Sequence, residues 1–436
     1  MFAYYLELGL RSLRRNPVLT ALMVLAIGFG VAASMTTYAV FRAVSNNPIP
    51  QKSSQLYAVQ VDNYGPKNND KGEPPDELSY IDAMALLRDH KAPQQTALYP
   101  VNLSVIPDDV SQSPIRPTAY AASADAFRMF EIPFQYGGAW SASDDDARAA
   151  VVVISRALNQ RLFHGENSVG REINLSGHSY RISGVMDDWD PKPLFFDPIS
   201  SGGFGQAVQF FIPISHALDL QLTTAGNTDC PTENYGTGWD AFVRSDCVWI
   251  IYWAGLPTTA AADAYRQYLR DYAAEQRRMG RFSWAPNVRL RDVAQWLDHR
   301  HVVPPESKLA LYVSMGFLLI CLVNTVGLLL AKFMRRMPEI GVRRALGASR
   351  RTIYAQFLIE GAAVGLAGGV LGLLLTVLGM WSIGLVFDER IARLATFNVS
   401  LVGWTLLVAI AATVLAAFYP TWRAAQVQPA WQLKTN

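Results

Sequence analysis

Charge is what this sequence has little of. Only 17% of its 436 residues are Asp, Glu, Lys or Arg, half are hydrophobic, and mean hydropathy is +0.12. That excludes an ordinary soluble enzyme, and the polarity that remains excludes a many-helix transporter of this length. A few membrane spans plus a sizeable soluble domain satisfy both figures. Catalytic motifs are missing as well: there is no G-x-x-x-x-G-K-[ST] phosphate loop, no G-x-S-x-G elbow and no H-E-x-x-H. The chain is therefore read as having no ATPase or other catalytic activity, no bound cofactor and no metal site of its own. His299 and His301 have no nearby thiolate, and Asp144, Asp145 and Asp146 lack the spaced oxygens of a calcium loop and read as a solvated turn. The glycine-rich SSGGFGQ from Ser200 reads as flexible, not phosphate-binding. Cysteine is rare. Of three, Cys321 falls in an apolar run and reads as a small apolar residue.

What is present begins with four apolar runs long enough to cross a bilayer: 18–44, 309–330, 354–387 and 401–419. The third is over-long, so its ends are expected at the interfaces or the helix tilted. The first follows Arg11, Arg14 and Arg15, but it is about twice the length of a signal-peptide core and reads as an anchor. The resulting order is an amphipathic helix at 1–17, the first span, a domain at 45–308, the second span, a basic link at 331–353, the third span, a short loop at 388–400, the fourth span and a tail at 420–436. The fold class is an α-helical membrane protein with four transmembrane helices plus a large α/β (α+β) extracytoplasmic domain inserted between helices 1 and 2.

Lys and Arg near the span ends set the orientation. They concentrate before the first span and in the link after the second, which places both termini and that link in the cytoplasm and the inserted domain outside. Net charge divides the same way: residues 45–308 hold 23 Lys and Arg against 31 Asp and Glu, and the remainder holds 15 against 5. The basic part suits anionic inner-leaflet lipid or an acidic partner, and no nucleic-acid patch is implied. Cys230 and Cys247 fall in the exported domain, an oxidising setting, and are expected to form a disulfide. They bracket part of a Gly-, Pro-, Asn- and Thr-rich stretch, 191–246, that reads as a mobile lobe or a loop-rich subdomain. LYAVQV and AAVVVIS are strand-like, while YIDAMALLRDH and ADAYRQYLRDYAAEQRRM have helical periodicity.

The membrane part carries the sharper signals. Gly361, Gly365 and Gly369 recur every four residues, with Gly368 and Gly372 beside them, a small-residue stripe that lets helices approach closely. Glu360 is a charge inside the third run, read as an ion pair with Arg351 in preference to a substrate or proton path. The link RRMPEIGVRRALGASRRTIYAQFL packs six arginines around one acid, Glu339. Proline at the start and Gly347 at the end delimit a helix of about nine residues, Ser349 can cap the next, and Glu339 and Arg343 are spaced to pair. The helix has an apolar side with Val342, Ala345 and Leu346, and Arg343 and Arg344 point elsewhere.

EIGVRRALGASRRTIYAQFLIEGAAVGLAGGVLG closely resembles the MacB/FtsX-type permeases of ABC transporters. LGLRSLRRNPVLTALMVLAIGFGVA, VVVISRALNQRLFHGENSVGREINLSGHSYRISGVMDD and YPTWRAAQVQPAWQL resemble other parts of that family, and the likeness is weakest from Pro191 to Trp253. The resemblance implies a permease that exports a peptide, antibiotic-like or lipidic substrate. It implies two exported subdomains on a stalk and a pair of permease chains, homodimeric or heterodimeric. It also implies a cytoplasmic ABC ATPase that binds ATP and Mg, expected as a separate polypeptide, and for some members a periplasmic adaptor and outer-membrane channel. The segment Glu339, Ile340, Gly341, Val342, Arg343, Arg344, Leu346 and Gly347 would be the ATPase-coupling helix. An alternative within the family is an FtsX-like subunit that transmits motion to a periplasmic partner without transport; the size of the inserted domain favours export.

Overall fold

The computed structural model describes residues 16–69, 71–107, 113–232, 235–347, 349–386 and 399–425. Nearly all of the expected amphipathic helix 1–17, most of the loop 388–400 and the end of the tail lie outside them. The chain divides into two compact units, Asn46–Val302 and the sequence on either side of it.

In chain order the helices are α1 (Pro17–Ser45), α2 (Tyr80–Asp89), α3 (Asp125–Met129), α4 (Ala142–Asp146), α5 (Arg156–Phe163), α6 (Pro198–Ser201), α7 (Ile214–Asp219), α8 (Trp239–Val243), α9 (Thr259–Arg278), α10 (Val293–His299), α11 (Pro305–Met334), α12 (Met337–Ala345), α13 (Arg350–Val386) and α14 (Val399–Ala425). The strands are β1 (Leu56–Val61), β2 (Leu78–Ser79), β3 (Gln94–Val101), β4 (Val105–Ile106), β5 (Ala119–Ala122), β6 (Phe134–Gly137), β7 (Val151–Ser155), β8 (Glu172–Leu175), β9 (His178–Met186), β10 (Phe210–Pro213), β11 (Val248–Gly255) and β12 (Val288–Asp292).

Between the first and second apolar helices the strands join in the order β12-β1-β11-β3-β5-β10-β7-β9-β8-β4, with β2 beside β11 and β6 beside β9. Most neighbours are antiparallel, but β5 runs parallel to β10 and β7 parallel to β9. Successive side chains of a strand face opposite ways. Phe210 and Ile212 accordingly enter one core and Phe211 the other. Helices α2, α5, α7 and α9 cover the first face, and α3 and α10 the second. Two covered faces explain why VVVIS and VWIIYWAG read as unbroken apolar runs. The resemblance implied two subdomains on a stalk; the described residues from Asn46 to Val302 form one compact unit carrying this continuous sheet.

Two local expectations change. The stretch 191–246 is no separate lobe, because Leu194, Phe195, Phe196 and Phe211 are buried in the second core. Its apolar triplets are what the low-complexity reading overlooked. Cys230 and Cys247 are joined as a disulfide that ties this stretch to the residue just after it. The acidic triplet is a helix, not a solvated turn. Ser141 caps it reciprocally with Asp144, and Asp145 accepts from Ala124 N at 2.7 Å and Trp140 Nε1 at 3.0 Å. His299 stacks on Trp296 and meets Asp76 at 2.9 Å.

A buried polar clamp ties distant segments of this unit. Arg281 grips Asp82 through two nitrogens at 2.6 and 2.7 Å, and Tyr272 donates to the same carboxylate at 2.7 Å. Glu77 is different. It is 1% exposed, Oε2 accepts from Asn227 Nδ2 at 3.0 Å, and Oε1 has no partner among the described residues. Burial lifts its pKa to about 8, with Asp197 and Asp76 adding to the rise. The folded state therefore holds a proton that the unfolded chain releases near its ordinary carboxylate pKa. The contribution is fully present at acid pH and is lost as pH rises towards 8. Glu77→Gln should flatten that fall, which reaches at most about 1.4 kcal/mol per pH unit. Thermal unfolding of the intact chain followed by tryptophan fluorescence across this window checks it, and parallel curves for the two proteins would refute it.

In the other unit, α1, α11, α13 and α14 are each long and apolar enough to cross a membrane, over Pro17–Ser45, Pro305–Met334, Arg351–Ser382 and Val402–Thr421. The glycines of α13 divide between two neighbours. A Cβ on Gly361, Gly365 or Gly369 would lie 2.7–2.9 Å from Ala417, Thr413 and Ala409 of α14, while one on Gly368 or Gly372 would meet Ile27 or Val31 of α1. The single stripe expected from sequence serves two neighbours: the five glycines fall within about 100° of the helical wheel, and α14 and α1 both pack against that arc. Gly365→Leu should force α13 and α14 apart and lower the unfolding temperature in detergent by several degrees, whereas Gly403→Leu, where a Cβ meets nothing, should not. Equal temperatures for both variants would make the stripe incidental.

Candidate coupling site between the second and third spans

The short helix α12 has nine residues. Its end is local chemistry: Leu346 N bonds Val342 O at 3.0 Å, and Gly347 then takes φ +95°, a conformation costly for any residue with a Cβ. Ser349 Oγ accepts from Thr352 N at 3.2 Å and caps α13.

One side of α12 is fastened down. Ile340 is 5% exposed and belongs to the apolar cluster that includes Leu329 and Phe333 of α11 and Ile353 and Phe357 of α13. The rings of Phe333 and Phe357 are 4.3 Å apart. Arg343 donates to Glu339 at 2.6 Å and to Gln356 at 3.1 Å. Gly341 is half-buried. The opposite side is bare: Val342 is 60% exposed and Leu346 83%. Arg344 lies in the helix, but its side chain is outside the described residues.

Beneath the helix sits a buried ion cluster. Glu360 is 2% exposed; one carboxylate oxygen is 2.7 Å from Lys332 Nζ and the other 2.8 Å from Arg336 Nη1. Lys332 is fully buried. The sequence reading had named Arg351 as the partner. Nine residues are two and a half helical turns, so Arg351 lies about 13 Å along α13 and on its opposite side, where it is exposed. Lys332 and Arg336 were missed because they lie 28 and 24 residues away in sequence. The available signal was one lone cation in the last turn of an apolar helix and one lone acid in the next, each too costly to leave unpaired. Lys332 and Arg336 come from the end of α11 and the turn after it, and Glu360 from α13. The cluster therefore joins the end of α11 and the start of the link to α13.

The family model of the MacB-like periplasmic core domain matches residues 20–268, and that of the FtsX-like permease C-terminal region matches residues 311–429. The chain belongs to the MacB/FtsX-like permease family. Among curated proteins, this permease is 23% identical over 379 residues to the macrolide export ATP-binding/permease protein MacB of Escherichia coli K12, covering 86% of the chain and 52% of the relative. It thus spans about half the length of the curated relatives it matches. Among solved structures, the periplasmic region of MacB from Actinobacillus actinomycetemcomitans aligns with 57% of this chain and 94% of its own, at 13% identity and a TM-score of 0.36. The extracellular domain of the noncanonic ABC-type transporter YknZ from Gram-positive bacteria aligns with 54% of this chain and 100% of its own, at 10% identity and a TM-score of 0.34.

In this permease the C-terminal family match contains α12 and the ion cluster together. Removing the acid alone would take the counter-charge from the fully buried Lys332 and one acid partner from the half-buried Arg336, which also lies 3.8 Å from Glu339. Glu360→Gln should cost about 3–5 kcal/mol, and Glu360→Gln combined with Lys332→Met should recover part of it. Denaturant titration in detergent measures both. An unchanged single variant would mean that the cluster does not hold α11 to α13.

Proposed function

We propose that this chain is the transmembrane permease subunit of an export-type ABC transporter. In this reading α12 faces the cytoplasm and seats in a cleft of an ABC ATPase that binds ATP and Mg. Two permease chains pair, and ATP-driven motion of α12 passes through α11 towards the inserted domain. Export of a peptide, antibiotic-like or lipidic compound is the accompanying activity, with a periplasmic adaptor and outer-membrane channel as further partners. Support comes from the family and from one observation above all: Val342 and Leu346 are exposed on a helix whose other side is clamped to two apolar helices. A helix this short and this charged has no lipid-facing reason to present them.

The geometry also sharpens the test. Arg343 is engaged with Glu339 and Gln356, so replacing it would disturb the helix itself. Val342→Asp with Leu346→Asp changes only the bare side. Fully burying a Val or Leu side chain is worth about 1.5–3 kcal/mol, so the double variant should bind its ATPase at least about tenfold more weakly and lose export, at unchanged unfolding temperature. Normal co-purification with the ATPase and normal export would overturn the proposed coupling role. Retained ATPase binding and substrate-independent ATP hydrolysis in the unaltered complex would favour force transmission without transport.

A further inference from the structure

The inserted domain contains a cleft of about 810 Å³ that the coupling reading does not use. Its position follows from topology. Strands β5 and β10 are parallel neighbours, in register from Ala119 opposite Phe210 to Ala122 opposite Pro213. Beyond their carboxyl ends the chain diverges: β5 leads to α3, whose Ala126, Phe127 and Met129 pack on one face of the sheet, and β10 leads to α7, whose Ile214 and Ala217 pack on the other. Divergence after adjacent parallel strands leaves a crevice between the two connections, the same local feature at which open, mostly parallel α/β sheets bind ligands. Ser123, Ala124 and Asp125 after β5, and Ile214, Ser215 and Leu218 after β10, line this one.

The lining has a definite chemistry. Tyr80, Met84 and Leu87 of α2, with Leu218 of α7, form a half-buried apolar wall. The charges at the rim are unequal. Arg148 is paired with Asp219, and Arg128 with Asp125 at 3.4 Å. Asp145 is held only by neutral donors, Ala124 N and Trp140 Nε1, and Asp146 on the same helix is exposed with no cation beside it among the described residues. His90 is engaged with Gln95 at 3.2 Å. The Ser215 hydroxyl in the wall has no hydrogen-bond partner among the described residues. An anion would have to break two ion pairs to find a cation. A wholly apolar ligand would strip water from two unneutralised carboxylates. The volume lies within the range of about 300–1,000 Å³ that holds drug-sized molecules.

We propose that this cleft is a binding site for a drug-sized organic cation, its apolar body against Tyr80, Met84, Leu87 and Leu218 and its charge beside Asp145 and Asp146. The site does not depend on the transport reading, because binding is measurable without an ATPase or any movement of substrate.

The probe is tetraphenylphosphonium, whose charge does not titrate, with tetraphenylborate as its isosteric anion. Equilibrium dialysis against the intact chain in neutral-lipid nanodiscs, with empty nanodiscs subtracted and the pH held well above the pKa of the Asp145 carboxyl, which burial lifts to about 6, gives the affinity. Saturable, stoichiometric binding of the phosphonium is expected, undisplaced by the borate. Asp146→Lys, an exposed rim change, should weaken binding at least about tenfold by reversing a charge near the ligand. Leu218→Trp, which fills the cleft, should do the same. Where Leu218→Trp does not fold, Asp146→Lys decides. No saturable binding above empty nanodiscs, equal affinity for the borate, or unchanged affinity in Asp146→Lys at wild-type unfolding temperature would overturn the proposal.

Discussion

A carboxylate as buried as Glu360 needs close counter-charge, Lys332 and Arg336 lie against it, and much of the membrane unit follows from that constraint. The charge is 2% exposed on a helix that is otherwise apolar for most of its length. Unpaired, it would face the full desolvation penalty; paired through both oxygens, it is compensated by cations from the segment that precedes it. The pairing brings the end of α11, the turn after it and α13 to one point. Helix α12 has to span the short distance left between them. Its Ile340 then falls into the apolar cluster formed by Phe333 and Phe357, and its orientation is set. The ion cluster holds together the two segments that α12 joins, and Ile340 with the Arg343–Gln356 bond sets which side of α12 is hidden.

Close packing supplies what the ions cannot. Lipid gives no hydrophobic drive for helices to associate, so shape must do it. Helix α13 is the centre of that arrangement because it offers glycines to two neighbours. Gly361, Gly365 and Gly369 admit the Ala417, Thr413 and Ala409 row of α14, a small-residue ladder meeting another. Gly368 and Gly372 admit Ile27 and Val31 of α1. Here the exchange is mutual, because Gly28 of α1 in turn admits Leu371 of α13. One helix therefore sets the separation of two neighbours, and its cytoplasm-proximal part, in the proposed orientation, is the part bonded to α11.

How much of this was legible in the sequence depended on range. The four apolar helices and the mixed α/β domain between the first and second were readable because hydropathy runs and strand or helix periods are local. The ends of α12 are equally local: Pro338 near its start and Gly347 at its stop act within a few residues. What depends on distant partners was not readable. Glu360 was assigned to the nearest arginine on its own helix, which helical geometry places on the wrong side. That the glycines serve two neighbours was hidden because neither α1 nor α14 could be positioned against them. The Phe195 and Phe196 pair was hidden in a stretch whose average composition is that of a loop. Strand order, and with it the parallel β5–β10 pair that opens the cleft, has no local signature at all.

Exposure of apolar side chains means different things in the parts of this molecule, and that difference gives α12 its interest. On α1, α11, α13 and α14 exposed Leu, Val and Phe are what a lipid-facing surface requires. On a soluble surface a single exposed apolar residue needs no explanation either. Val342 and Leu346 fit neither case. They lie four residues apart, Val342 on the nine-residue helix that carries Glu339 and Arg343 and Leu346 in the turn that ends it, and Ile340 on the other side of that helix is buried. Two apolar residues at adjacent turns on a surface that can be neither a span nor a core form the smallest unit of helix-in-groove recognition. Under the proposed coupling role the clamp and the bare side must lie opposite each other: a helix held by the side it offers would have nothing left to offer, and one held by nothing would transmit no displacement.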